Sequence, residues 1–213
     1  MGYFISAIAR RIFPPTETLE GYGAPELVDV IFQKTTAYDP DDAWPEMDGV
    51  SSALDFGGAC GLHYKRARRQ SPNIRWAVVE TPPMVERASA LATDRLRFFT
   101  DISQAQKWLG PIDVMHSNSV LQYTPDPEET LKRLCALRAK RLVWERLSLS
   151  DANIEREVQS SLLGDNGPGS LPGLQEKIVK YARIKIPEQT FLAAHADYVL
   201  IERGTDWFRF ALR

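Results

Sequence analysis

The sequence predicts a doubly wound α/β sheet of seven strands, mostly parallel and closed by a C-terminal antiparallel hairpin. Three observations carry this expectation. From about residue 21 onward, apolar strand-like runs alternate with segments of helical periodicity, the pattern of parallel strands joined by helical crossovers. The last two apolar runs, DYVLIER and WFRFALR, are separated only by Gly204, Thr205 and Asp206. That connection is too short for a parallel crossover and fits a hairpin. The first strand-like run ends in DFGGACG, with Gly57, Gly58 and Gly61 at a strand-to-helix turn.

Taken in order, GAPELVDVIFQKTTAY reads as a helix with Leu27, Ile31 and Phe32 on one side, and SSALDFGG as a buried strand. LHYKRARRQ is a helix, IRWAVVE a second strand, and PPMVERASALA a helix opening on proline. LRFFTD is a third strand, followed by the short helix SQAQKWLG, closed by Gly110. IDVMHSNSV gives a fourth strand, DPEETLKRLCALRA a helix and KRLVWERLSL a fifth strand. PEQTFLAAHA is a helix before the final hairpin. Residues 150–187 read as an irregular lid or acceptor region, because SLLGDNGPGSLPG is too rich in glycine and proline for a regular element. The domain organisation is therefore an N-terminal arm over 1–20 and one domain over 21–213.

The chain has 213 residues, 44% of them hydrophobic and 25% charged, enough for one domain with a buried core. A formal charge of -2 gives no global attraction to nucleic acid or an anionic membrane. The run KRARRQ, Lys65 to Gln70, has no interleaved aromatic residues for base stacking and reads as a solvated helix face. Two cysteines, Cys60 and Cys135, and three dispersed histidines make neither a disulfide framework nor a zinc motif. The expectation is a cytoplasmic protein with no metal. The N-terminal apolar stretch falls well short of the ~20 residues of a membrane span and lacks signal-peptide order. Gly2 and Ser6 fit a loose myristoylation pattern, read here as chance in a short amphipathic arm ending at Pro14 and Pro15.

In a doubly wound sheet a ligand lies at the carboxyl ends of the strands, beside the first. The glycine turn occupies that place. A dinucleotide G-x-G-x-x-G would need glycine at positions occupied by Ala59 and Leu62, and no G-K-[ST] phosphate loop is present. Glu80 ends the second strand, where a carboxylate can accept hydrogen bonds from both hydroxyls of a ribose. Asp101 ends the third strand, where an adenine amino group would be met, and HSNSVLQY follows the fourth. Four successive strand ends thus carry ligand-type residues.

The segments LDFGGACGLHY, WAVVETPPMVE, LRFFTDI and DVMHSNSVLQYTPDPEETLKRL, with GYGAPELVDVI upstream, resemble the bacterial methyltransferases of the LIC12133-type description. The resemblance covers about Gly21 to Arg203. It implies a Rossmann-like class I methyltransferase fold, S-adenosyl-L-methionine as cofactor and a setting in surface polysaccharide assembly. By position it places Asp55, Gly57, Gly58 and Gly61 at the methionine end of the cofactor and Glu80 at the ribose. Asp101 and the backbone of Ile102 fall at the adenine, and Ser117 and Asn118 at the amino acid moiety. Ala59 departs from the pattern, since common class I enzymes carry glycine there.

Methyl transfer is an in-line displacement from a sulfonium, for which alignment and water exclusion can suffice. If the acceptor must lose a proton, His116 is the expected base, with Tyr123, and then Gln122 and Glu145, as alternatives on the same rim. His63 and Tyr64 are placed to cover the methyl group or the acceptor. Tyr22, with Asp165 and Asn166 at the tip of the 161–173 loop, completes the expected acceptor side. The sequence thus points to a methyltransferase acting on a small polar or glycosyl acceptor. Two alternatives stay open: a nicotinamide-linked oxidoreductase or sugar epimerase, disfavoured by Ala59 and the hairpin, and a non-catalytic cofactor-binding partner protein.

Overall fold

A computed structural model describes residues 17–213, so the myristoylation pattern and the arm as far as Thr16 lie outside the described residues. A seven-stranded sheet forms the centre, in the order β4-β3-β2-β5-β6-β10-β9. Its parallel strands are β2 (Ser52–Phe56), β3 (Arg75–Val79), β4 (Leu96–Phe99), β5 (Val114–Asn118) and β6 (Arg141–Glu145). β9 (Tyr198–Arg203) and β10 (Phe208–Leu212) make the expected hairpin, and β10 also pairs antiparallel with β6.

Side chains alternate across each strand, and both faces are buried, which is why the parallel strands read as near-continuous apolar runs. Leu54, Met115 and Leu142 face a core shared with α4 (Ile102–Leu109), α5 (Pro127–Ala136) and α6 (Glu188–Ala194). Ala53, Val114 and Val143 face a second core shared with α2 (Leu62–Gln70), Trp44 and Met47. Asp55 and His116 are directly opposite one another on β2 and β5, and Asn118 is opposite Glu145 on β5 and β6. The chain winds one way through β2, β3 and β4 and the other way through β5 and β6. The switch point, where a ligand binds in folds of this kind, is therefore between β2 and β5.

Two expectations need correction. Thr18–Glu20 belong to no free arm: they form β1, parallel to β8 (Ile178–Lys185). The region 150–187 is not irregular throughout, because β8 also pairs over eight residues with β7 (Glu155–Leu162), giving a three-stranded sheet β1-β8-β7. Glycine and proline are concentrated between these strands and mask their signal. This small sheet, α1 (Pro25–Ala37), α3 (Pro82–Ala88) and the glycine turn share a third core through Leu27, Cys60, Met84, Leu163 and Tyr181. No helix among the described residues is long and apolar enough to cross a membrane.

Candidate functional site

The glycine turn has the geometry its composition implies. Gly57, Ala59 and Gly61 have φ of 75°, 46° and 83°, all in the left-handed region. Glycine adopts that region freely, while Ala59 does so at a steric cost of about 1–2 kcal/mol. A Cβ on Gly57 would overlap Val120, and one on Gly58 would overlap the carboxylate of Asp55. Glu80 fastens the turn: Ala59 N–H donates to Oε1 at 3.2 Å and Thr81 N–H to Oε2 at 2.7 Å. Burial raises the Glu80 carboxyl above its ordinary pKa, and these two backbone donors oppose the rise. Each oxygen keeps a second lone pair, so the carboxylate retains capacity for two hydroxyl donors.

Beneath the turn lies a charged network that sequence spacing conceals. Asp55 and His116 are both 0% exposed. His116 Nδ1 meets Asp55 Oδ1 at 2.8 Å, His63 Nδ1 meets Oδ2 at 3.0 Å, and Trp76 Nε1–H donates to Oδ2 at 3.2 Å. On its other side His116 Nε2 faces Glu145 Oε2 at 3.4 Å. Burial alone would raise the Asp55 carboxyl, but the two histidines outweigh it and hold it well below the usual carboxylate range. Burial alone would lower His116, but Asp55 and Glu145 outweigh it and push the imidazole up to about 9. His116 is therefore an imidazolium clasped by two carboxylates, and the role of proton acceptor at neutral pH does not suit it. The ligand atoms of Asp55, His63 and His116 lie within 4.8 Å of one another.

The carboxyl ends of β5 and β6 form the rim. Ser119 and Arg146, one residue past each strand, have φ of 60° and 47°. With Ala59, three of the four non-glycine left-handed residues among those described stand on this one edge. Such strain collects where a site needs a particular backbone path. Gln122 secures it, its amide donating to Ser119 Oγ at 3.3 Å and to the Arg146 carbonyl at 3.2 Å. Asn118 donates to Glu145 Oε2 at 3.0 Å and accepts from Arg146 Nε. Ser117 Oγ and Gln122 Oε1 are buried without a partner among the described residues.

Several expected residues are engaged elsewhere. Asp101 caps α4, accepting from Ser103 and Gln104 N–H, and pairs with Arg133, so its carboxylate works as a helix cap. Ile102 is buried in the first turn of that helix. Tyr64 is not on the acceptor side: it is 7% exposed in the core against Trp76. Tyr22, Tyr123 and Tyr181 pack together, with Tyr22 stacked on Tyr181 at 4.6 Å between centroids. Tyr123 OH donates to Gln159, and burial raises its pKa, which opposes a role as base. The 161–173 loop is tied to α1. Buried Lys34 donates to the carbonyls of Gly164 at 2.8 Å and Asn166 at 2.7 Å, and the Asn166 amide turns inward to Ser161 and Leu162. Asp165 is exposed on this loop, and its charge acts on Lys34. The basic run is tied to the chain before it: Lys65 donates to carbonyls at the end of α1, and Arg66 pairs with Asp42 across the Trp44 ring.

The residues at the switch point fit S-adenosylmethionine. The turn takes the backbone angles of a glycine loop, Glu80 has lone pairs to spare, and Ser117 offers a buried hydroxyl with no partner. No family model matches the chain, and no curated protein matches it. Solved structures do. The sugar N-methyltransferase KedS8 from Streptoalloteichus sp. is 15% identical, with 99% of this chain and 92% of that one covered at a TM-score of 0.52. DesVI of Streptomyces venezuelae is 15% identical over 99% and 97%, at a TM-score of 0.53. The amino pentose methyltransferase CalS10 from Micromonospora echinaspora, solved with bound S-adenosylmethionine, is 15% identical over 100% and 97%, at 0.50. At these identities the likeness establishes the fold. The chain has the Rossmann-like methyltransferase architecture.

Proposed function

We propose that the protein is an S-adenosylmethionine-dependent methyltransferase acting on a small polar or glycosyl acceptor. The observation that carries this reading is the glycine turn fastened by Glu80 at the switch point, on a fold whose solved neighbours include sugar methyltransferases. The LIC12133-type assignment, a cytoplasmic setting, a role in surface polysaccharide assembly and the absence of a nucleic acid partner belong to the same proposal. When bound, the cofactor supplies an electrophilic methyl group on a sulfonium. The turn at Gly57 to Gly61 leaves room for its methionine end, Glu80 holds the ribose hydroxyls, and Ser117 and Asn118 meet the amino acid moiety. Asp101 and Ile102 border the adenine, with Asp101 contributing through the helix start that it caps.

His116 positions and does not accept protons. It fixes Asp55 beneath the turn and Glu145 at the rim, so the cofactor side and the acceptor side share one rigid support. His63 Nδ1 is taken by Asp55, which turns the rest of its ring away from that carboxylate. The test is methyl transfer from labelled S-adenosylmethionine to a panel of nucleotide sugars and glycans. Appearance of S-adenosylhomocysteine together with a methylated sugar supports the proposal. A reduced or epimerised sugar in the presence of NAD, with no methyl transfer, overturns it.

A further inference from the structure

The carboxyl edge of the sheet carries four acids, and on three of them both oxygens already accept hydrogen bonds. Asp55 accepts from His63, His116 and Trp76. Glu80 accepts from two backbone N–H groups, and Asp101 caps a helix and pairs with Arg133. Glu145 differs. Both of its side-chain hydrogen bonds, from His116 and Asn118, fall on Oε2. Among the described residues Oε1 has no partner, and the side chain is 25% exposed. A second observation points the same way. Gln122 is 3% exposed and spends its amide N–H groups on Ser119 and Arg146, the two strained residues flanking this rim, leaving Oε1 buried and unanswered.

The two open groups, Glu145 Oε1 and Gln122 Oε1, are both acceptors. A ligand that completes such a rim must bring donors, and a charged donor suits a carboxylate best. An amino group offers two or three N–H bonds where a hydroxyl offers one. Resting on the methyltransferase reading above, we infer that Glu145, aimed by His116 and Asn118 on a rim that Gln122 holds in place, recognises an amine-bearing acceptor. Hydrogen bonding to His116, with its charge, holds the Glu145 carboxyl below its ordinary range, which makes it a weak base and a durable anion.

That chemistry suits N-methylation. The bound ammonium first gives a proton to solvent; the neutral amine then attacks the methyl carbon with its lone pair, the N–C bond forms as the S–C bond breaks, and the sulfur leaves as a neutral thioether. The product is a methylammonium that releases its proton to solvent. Transfer to a hydroxyl would instead ask for a base at the reacting oxygen, and the hydrogen bond from His116 makes Glu145 a weaker one.

The test uses the full chain loaded with S-adenosylhomocysteine, titrated with glucosamine and with glucose and followed by NMR. The same pair is then offered as acceptors with labelled cofactor. Glucosamine should bind and glucose should not, and any transfer should be to nitrogen. Glu145→Gln should weaken glucosamine binding by about ten- to a hundredfold, as expected for loss of a charge-assisted bond, with S-adenosylhomocysteine affinity kept within about threefold. Glu145→Asp should recover part of the loss. Equal binding of the two sugars, no binding of either, or glucosamine binding that survives Glu145→Gln would each overturn the assignment. Failure of the protein to bind S-adenosylhomocysteine would instead strike the methyltransferase reading itself.

Discussion

The imidazolium at His116 makes stability depend on pH in a definite direction. An unfolded histidine titrates near 6.5, whereas the folded chain holds this proton up to about 9. Between those values the unfolded state binds fewer protons, so stability falls as pH rises. Below about 6.5 the contribution is fully present, and it is lost as pH passes through 9. The interval corresponds to about 3 kcal/mol. Urea unfolding at a series of pH values from 6 to about 10 would read it directly, comparing the native chain with His116→Gln, which has no proton to lose. Asp55, Glu145 and His63 are the other ionisable groups of the network, and His63→Asn serves as a control that should keep the slope. The native chain should lose most of the 3 kcal/mol between pH 6.5 and 9, and His116→Gln should be nearly flat there. A flat native profile, or an equal slope in His116→Gln, would refute the clasped imidazolium.

Three further outcomes follow from the geometry. Gly57→Val should place a branched side chain into Val120 at a left-handed φ, costing about 2 kcal/mol or more and abolishing S-adenosylhomocysteine binding; calorimetry on the folded variant checks it. Glu80→Ala removes the clasp on Ala59 and Thr81 as well as the ribose acceptor, so cofactor affinity should fall about tenfold to a hundredfold and the unliganded protein should also lose about 1–3 kcal/mol. Affinity that holds while stability falls would make Glu80 a structural clasp alone. Lys34→Met removes two charge-assisted bonds to loop carbonyls and should cost about 2–3 kcal/mol, with hydrogen exchange at 163–167 rising well above the rest of the chain.

Periodicity and loop length were enough to read the central sheet. The seven strands, their parallel sense and the antiparallel closure follow from apolar runs, crossover helices and the three residues at 204–206. The small sheet was not legible, because β7 is largely exposed and polar, and the glycines and prolines of 164–173 dominate their neighbourhood. Within the site, strand-end position located Glu80, and the left-handed φ at Ala59 explains why glycine is usual there. The Asp55–His116 contact depends on register between strands sixty-one residues apart, which no local spacing encodes. Asp101 followed by Ser103 and Gln104 was readable as a helix cap, and Asn166 among glycines as a turn former; both signals competed with a ligand role and prevailed. Glu145 owes its place to Asn118 directly opposite on β5, again a matter of register.

The central claim is that the turn at Gly57 to Gly61, fastened by Glu80, holds S-adenosylmethionine. Isothermal calorimetry on the full chain with S-adenosylhomocysteine, and with NAD as the competitor ligand, tests it most directly. The account predicts saturable one-to-one binding of S-adenosylhomocysteine, no comparable heat with NAD, and loss of the signal in Gly57→Val. Tight NAD binding with no response to S-adenosylhomocysteine would contradict it.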